Sequence, residues 1–554
     1  MNTNRDTTSA TNSMPTRFRR RIGRAPLALL ALLVLPLGAQ AGGVVTNYTE
    51  AALRAAMAGG GKVTFACDGT IDLASTINIP NSSWLMLDAT GHQVTISGGN
   101  AVGVFGVSAN ATLTLVNLTI ANGAVCPAGD GTDGAGGAVY NSGTAIVDLC
   151  MFTGNLASGA PGSASGKFFG GGGFGGAIYN AGTLVVKRST FSWNLVSGGA
   201  GASLWPGPGG DGKGGAIYNR GALWLESSTL QNNSATGGAG GRGYDGHPWM
   251  DVATDGGTGA PGGVGAGGAL YNTGSATAVN STFDEDSGRG GGGGAGGTGG
   301  TGIHANGNGG AGGPGGDGFG AVYDAGGDLR LTNCTLAFNW ASGGGGGAGG
   351  AGGGSGTPYP GNPGPYGPSG NGAGGGIKSS GGFLINTLLA TNSSNCSGSV
   401  TDGGHNLSSD GTCGFTGIGS LNNTDPKIGP LANNGGPTLT IALLPGSPAI
   451  DAGNTSVSPV TDQRGFPRPV GPAADIGAYE LCYQSVLRIS PPQAGAISIQ
   501  AFGTNGQTCR LLASSRLSNW VPIATNQIGT AGTILFQDTC APGGACRFYR
   551  LVMP

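Results

Sequence analysis

Charge is scarce in this chain. Lys, Arg, Asp and Glu make up 9% of its 554 residues, and 25 basic against 27 acidic residues leave a net charge of −2; about 25% charged is ordinary. No whole-molecule field therefore draws the chain to nucleic acid or to an acidic polymer. Aromatics are held to 6% and histidines to four. His92, His247, His304 and His405 are dispersed, so no paired-histidine metal spacing exists. Ten cysteines suit an oxidising compartment but are too few for a disulfide-dense scaffold. Neither a Gly-x-Ser-x-Gly elbow nor a phosphate-binding loop stands in a strand-to-helix context. With 30 prolines and no sustained Gly-X-Y register, collagen is excluded. Apolar residues still reach 38%, enough for a core, which argues against wholesale disorder.

Long hydrophobic runs are lacking too, apart from APLALLALLVLPL at 25–37. It is interrupted by Pro26 and Pro36 and falls short of the about 20 residues a helix needs to span a bilayer. Arg17, Arg19, Arg20, Arg21 and Arg24 precede it and Ala39-Gln40-Ala41 follows. These are the basic, apolar and small-residue parts of an export signal. Residues 1–41 are expected to be cleaved off, leaving a secreted or cell-surface chain with no membrane span.

Glycine is what the chain has in excess, 121 residues, and it is organised by repetition. GGAVYN (136–141), GGAIYN (175–180), GGAIYN (214–219) and GGALYN (267–272) recur, with weaker copies GAVYD (320–324) and GGGIKS (374–379). The aligned file is Tyr140-Asn141, Tyr179-Asn180, Tyr218-Asn219, Tyr271-Asn272 and Tyr323-Asp324, with Lys378 in the sixth place. After each copy come a turn glycine, an alternating apolar strand, and a second short strand closed by Asn or a small polar residue. A fixed unit of about 24 residues holding two or three short strands is one coil of a parallel β-helix, whose coils bury side chains only against their neighbours. Asn at one place in successive coils predicts a stacked amide ladder.

The N-terminal part reads likewise. Short strands are expected at 63–65, 69–73, 76–79 and 94–96 and along LTLVNLTI (113–120), in roughly ten coils overall. Before them 49–57 reads as an amphipathic helix, N-capped by Thr49 and ended by Gly59-Gly60-Gly61, placed to cover the first coil's open edge. The helix, the stacked strands and LTLVNLTIANG (113–123) resemble secreted right-handed parallel β-helix proteins of the pectin-lyase-like superfamily. That resemblance covers 42–429 and implies the fold far more than an activity, since the fold hosts lyases, hydrolases, adhesins and scaffolds.

Between residues 121 and 376 lie 84 of the glycines, many in a near three-residue period such as GGGGAGGTGGTG (291–302). Three residues per turn is the polyproline II period. Because every insert leaves at one point of the repeat, the inserts are expected either as a side-by-side bundle of antiparallel extended legs or as independent loops.

Toward the C terminus, GPLANNGGPTLTIALLPGSPAIDAGN (429–454), TDQRGFPRP (461–469) and ADIGAYE (474–480) resemble, in this order, the choice-of-anchor Q domain of secreted bacterial β-helix proteins. That assigns 430–481. The resemblance implies a disulfide between Cys396 and Cys413, which flank GGHNL (403–407); the pairing of Cys67, Cys126, Cys150, Cys334, Cys482, Cys509, Cys540 and Cys546 stays open. Asp451, Asp462, Arg464, Asp475 and Glu480 read as turn-tying charges that finish the last coil, with a metal or catalytic cluster as the alternative. Residues 482–554 lose the repeat, and alternating strands at 497–502, 508–513, 533–537 and 547–552 predict a small β-sandwich-like module. Within it Trp520 and Tyr549 read as core aromatics, or alternatively as a sugar platform.

No catalytic, cofactor or metal residue is assigned. Lyase chemistry would gather carboxylates around Ca²⁺ beside an Arg or Lys, yet Lys187, Arg188, Glu226 and Arg330 are scattered, and Asp284-Glu285-Asp286 is the one local run that offers Ca²⁺ ligands. The expected function is an exported, non-enzymatic surface scaffold or adhesin-like protein whose partners are polysaccharide or cell-surface components. The alternative is a polysaccharide lyase or glycoside hydrolase working in a solenoid groove.

Overall fold

The computed structural model describes residues 42–203, 205–248, 253–354 and 358–481 and, further on, 487–489, 497–502, 508–517, 519–528, 533–538 and 547–552. The export segment 1–41 and Cys482, Cys540 and Cys546 lie outside the described residues.

The chain winds as a parallel β-helix. Among the described residues two parallel sheets run its length, sheet A with 18 strands and sheet B with ten, and two more, sheets C and D with six strands each, flank the coils between 124 and 373. One coil shows the plan. Val139–Asn141 and Thr144–Asp148 lie in sheet A, Met151–Thr153 in sheet B and Leu156–Ser158 in sheet C; after the insert, Gly173–Phe174 in sheet D opens the next coil. The ten strands of sheet B count ten coils, about 50 Å of solenoid at about 4.8 Å per rung.

Register puts like on like. Tyr140 pairs with Tyr179, Tyr179 with Tyr218, Tyr218 with Tyr271 and Tyr271 with Tyr323, so the repeats are stacked coils. Inward side chains therefore form files, such as Val139, Ile178, Ile217, Leu270 and Val322, or Phe152, Phe191, Leu230, Phe283 and Leu336, all inside one continuous core. The paired glycines of the repeat have separate jobs. Gly175 turns the corner at φ +66°, while a Cβ on Gly176 would overlap the carbonyl of Gly215 one coil on.

The expected helix forms at Glu50–Met57, with the Thr49 hydroxyl accepting from the Ala52 amide at 3.2 Å. Its Leu53 is fully buried, and Ala52, Ala56 and Met57 pack on the same core, closing the first coil. Two details differ from expectation. Val44–Val45 adds an edge strand ahead of the helix. The single strand expected at 113–120 is two, Thr112–Val116 and Leu118–Ala121, because Asn117 turns left-handed at φ +54° and its amide donates to the carbonyls of Ala89 and His92. Leu149, Arg188, Ser227, Asn280, Asn333 and Asn386 repeat that corner in later coils.

Among its described residues the C-terminal part holds two antiparallel three-stranded sheets, Leu487–Ile489 with Ile497–Phe502 and Thr533–Asp538, and Val521–Gln527 with Thr508–Ser514 and Phe548–Val552. Ile499, Leu511, Ile528 and Phe536 form its separate core. Tyr549 packs against that core, its hydroxyl donating to Asp538 at 2.8 Å, whereas Trp520 is half-buried and outside it.

Candidate functional site: two ladders, a covered face, an open groove and a glycine bundle

The residues of the aligned file are brought together as two ladders. On the outside of sheet A the five tyrosine rings stack at 4.8, 5.3, 5.2 and 5.0 Å, tilted by at most 12°. Arg220 donates to the Tyr179 hydroxyl at 2.9 Å. Inside, Asn141, Asn180 and Asn219 each donate from Nδ2 to the Oδ1 one coil on, at 2.7, 2.7 and 2.8 Å, and Asn272 donates to Asp324 at 2.9 Å. Asp324 ends the file suitably for a carboxylate, since Gly327 N–H and the Ser379 hydroxyl also donate to it. A second ladder, Asn155–Asn194–Asn233–Asp286, runs in the turn between sheets B and C. Both tie successive coils together side chain to side chain.

The Asp284-Glu285-Asp286 run is split three ways. Asp284 is buried under the covering segment described next, Glu285 is exposed, and Asp286 joins the ladder. Burial pushes Asp284 up to about 7, with Glu285 adding to it. Among the described residues no group of three or more His, Cys, Asp or Glu side chains converges as a metal site.

Residues 428–481 do not finish the last coil, as the turn-tying reading had it; they fold back over the outer face of sheet B. A hairpin, Ile428–Ala432 with Thr440–Leu443, leads this cover. Ile441, Leu443, Ala449, Ile476 and Tyr479 pack on Ala337, Leu388, Ala390 and Leu407 of the solenoid. A threonine file anchors it: Thr229 donates to the Leu439 carbonyl and Thr282 to the Gln463 side chain, both at 2.6 Å, and Thr335 accepts from the Ala478 amide at 3.0 Å. The reason is register, which puts an outward hydroxyl at one place in successive coils.

The motif charges do tie turns together. Asp462 accepts from the amides of Arg464, Phe466 and Glu480. Glu480 accepts from those of Val470 and Asp475 and pairs with Arg468 at 3.1 Å, while Asp475 accepts from the Asp451 and Leu481 amides. The Arg464 guanidinium lies 3.7 Å from the Tyr479 ring centre. Burial, then the neighbouring Glu480, pushes Asp475 up to about 7, and burial also raises Glu480. Cys396 and Cys413 are disulfide-bonded, and Cys67, Cys126, Cys150, Cys334 and Cys509 are free thiols.

Where the cover stops, at Pro437, sheet B lies open as a groove of about 800 Å³. Its floor continues the same file with Thr70, Thr95, Thr119, Met151 and Thr190. Asp68, His92, Asn117, Leu149 and Arg188 line it as well. Asp68 accepts from the Gln93 amide at 2.9 Å and lies 3.0 Å from His92; the amide first, then His92, hold its carboxyl below the usual range. Arg188 pairs with Asp148. Sequence reading missed this surface, although its signal is present: Ser-Thr or Cys-Thr recurs at 189–190, 228–229, 281–282 and 334–335.

The inserts are a bundle. They leave between sheets C and D and run as outgoing and returning legs with a three-residue hydrogen-bond period. In the outgoing layer Gly237, Gly240, Gly243 and Gly246 donate to the carbonyls of Arg289, Gly292, Ala295 and Thr298, and Gly290, Gly293, Gly296 and Gly299 donate to those of Ser342, Gly345, Ala348 and Ala351. Between layers Gly291, Gly294, Gly297 and Gly300 donate to Gly263, Ala260, Gly257 and Thr254. In the fourth insert, which has a long insert on either side, two of every three residues are glycine. A Cβ on Gly294 would overlap the Gly241 carbonyl and one on Gly293 that of Gly313, whereas one on Gly292 meets nothing closer than 3.8 Å. The outward third place therefore admits Ala295, Thr298 and Thr301 or, on the returning layer, Pro261, Pro314 and Pro368, which have no amide hydrogen to leave unpaired. Asp255 and Asn308 accept there from the amides of Asn308 and Asn362 on the next leg.

Among the described residues no helix is long and apolar enough to cross a membrane. Compared with known proteins, the chain matches no family model and no curated protein significantly, so its fold is identified by strand register and its chemistry by the residues above.

Proposed function

We propose that the chain is an exported, non-enzymatic scaffold of the cell surface, adhesin-like in action, built to hold the glycine bundle out from one flank of the solenoid toward polysaccharide or other surface components. The observation that carries this reading is the bundle itself: five inserts sharing one exit point, one period and one hydrogen-bond register. Its kinship is proposed as the secreted, pectin-lyase-like β-helix proteins with a choice-of-anchor Q region, for which the three motifs in 429–480 and the Cys396–Cys413 bridge are the support. N-terminal sequencing of the mature chain and protease shaving of intact cells test the reading together. A chain that begins at Gly42 and is clipped from outside is expected; an intact Met1 and a protected chain would overturn export.

The groove on sheet B favours a second reading, a carbohydrate-active enzyme, because Asp68, His92 and Arg188 share an open cleft of polysaccharide size. A glycan array scored for both retention and cleavage separates the two: retention alone supports the scaffold, and new reducing ends or unsaturated products support the enzyme.

A further inference from the structure

The bundle ends on an unfinished edge. In the fourth insert Gly290, Gly293, Gly296 and Gly299 donate to the outgoing leg of the fifth. Their counterparts in the fifth, Gly343, Gly346, Gly349 and Gly352, have no hydrogen-bond partner among the described residues and are partly exposed. The carbonyls beside them repeat the situation. Gly307, Gly310, Gly313 and Gly316 accept from Gly353, Gly350, Gly347 and Gly344, but nothing among the described residues donates to the matching Gly361, Gly364, Gly367 and Gly370. No sixth insert follows, since Leu388–Ala390 passes through the short turn 391–395 directly to Cys396–Asp402. One side of this edge is closed by side chains: Pro363, Tyr366 and Ser369 stand where the preceding returning leg has Gly309, Gly312 and Gly315.

We propose that this edge binds one extended segment of another polypeptide with glycine at every third place, laid parallel to residues 343–353 in the polyproline II conformation. The donor row supplies N–H groups at about 9 Å intervals, three residues at about 3.1 Å each, and the acceptor row has the same interval. A partner must therefore offer a carbonyl and an amide once per turn, with glycine wherever a Cβ would meet a carbonyl, as at Gly294 and Gly347. This is the polyproline II counterpart of adding a strand to an open sheet edge. A single pass fits and a hairpin does not, because Pro363 and Tyr366 occupy the returning side.

The test is amide hydrogen exchange in the full mature chain, read residue by residue, with a soluble synthetic peptide of the sequence GGGGGAGGAGG, that of residues 343–353. Exchange at Gly343, Gly346, Gly349 and Gly352 is expected to slow by about tenfold at about nine-tenths occupancy, with no change at Gly290 or Gly293. The control peptide has alanine in place of the glycines that correspond to 344, 347 and 350, whose Cβ atoms would overlap the carbonyls, and leaves the rates unchanged. Unaltered exchange with the first peptide, or equal slowing with both, overturns the proposal. So does protection that rises with protein concentration without peptide, which would assign the edge to a second copy of this chain.

Discussion

Replacing Asp286 by Asn is expected to stabilise the solenoid, increasingly so as pH rises. In the second ladder Asn155, Asn194 and Asn233 each donate from Nδ2 twice, to the next side-chain oxygen at 2.8–2.9 Å and to the carbonyl of Ile120, Phe152 or Phe191 at 3.0–3.1 Å. Asp286 accepts correctly on Oδ1, from the Asn233 amide and Nδ2, both at 2.8 Å. Its Oδ2 is buried with no hydrogen-bond partner among the described residues. By the repeat, that oxygen stands where an Nδ2 would donate to the Leu230 carbonyl and to Asn339 Oδ1. An acceptor facing acceptors is tolerable only if it carries a proton, and full burial pushes this carboxyl well above its ordinary 3.8. A carboxyl raised on folding holds its proton in the native chain after the unfolded chain has released it. Stability is then fully present below the unfolded value and falls by about 1.4 kcal/mol per pH unit above it, until the native carboxyl ionises. An amide at this position does not titrate and has no such slope. The substitution is expected to add about 1 kcal/mol near pH 4, from one more satisfied buried acceptor, and about 1.4 kcal/mol more per unit above that. Urea unfolding of both chains across about pH 4–7 measures the difference. Parallel pH profiles, or a less stable Asp286→Asn variant, would refute the protonated-acid assignment.

Three further outcomes follow from the same geometry. Gly294→Val drives a side chain into the Gly241 carbonyl and should raise exchange across the neighbouring legs by about 2–3 kcal/mol of local opening, while Gly292→Ala, which faces open space, leaves exchange unchanged. Reducing the Cys396–Cys413 bridge, or replacing both residues by Ser, frees a 17-residue separation and should cost about 3 kcal/mol in the last coil, read as a lower urea midpoint. Asp284→Asn beneath the cover should remove another share of the loss in stability between about pH 4 and 7, since Asp284 is pushed up to about 7; the unfolding midpoint at the two ends of that range measures it.

Repetition made the solenoid legible. A Tyr-Asn pair recurring after Gly-Gly fixed which residues stack; the first ladder and the capping helix lie where the residues place them, and the disulfide where the resemblance implied it. Asn117 split an apparent strand because one left-handed residue leaves the alternation of its neighbours intact. Trp84–Asp88 and Phe105–Val107 were missed, as their coils precede the Gly-Gly signature that announces the others. The C-terminal strand Val521–Gln527 was hidden by Pro522 and polar neighbours, which read as a loop but suit a largely exposed strand. For the inserts, composition left bundle and loops equally open; only the spacing of neighbouring legs decides, and that spacing belongs to the solenoid. The cover was illegible for a related reason. Its motifs specify internal turns, whereas its position depends on threonines more than a hundred residues earlier in the chain.

The solenoid and the bundle solve each other's difficulty. Ordering a residue costs about 1–2 kcal/mol of backbone entropy, and glycine loses the most. A hydrogen bond returns about 0.5–1.5 kcal/mol net, with two per three residues and hardly any apolar side chain to add. An insert of this composition does not hold its shape alone. The solenoid, however, grips both ends of every insert and sets neighbouring exits one rung apart, the 4.8–5.3 Å at which the tyrosine rings above them stack. Legs held at that spacing and in one register already meet the donors and acceptors they need, so the association and alignment terms that a free segment must supply are absent. Insert length supports this division of labour. The two short inserts, 159–172 and 198–211, precede the three long ones, and the Gly198 and Gly201 amides of the second short insert bond Thr236 and Ala239 at the base of the first long leg. Beyond that height the long legs depend on one another alone. The bundle is thus strongest where it joins the coils and most open along its far edge, where among the described residues no further leg follows residues 343–353 in the outgoing layer.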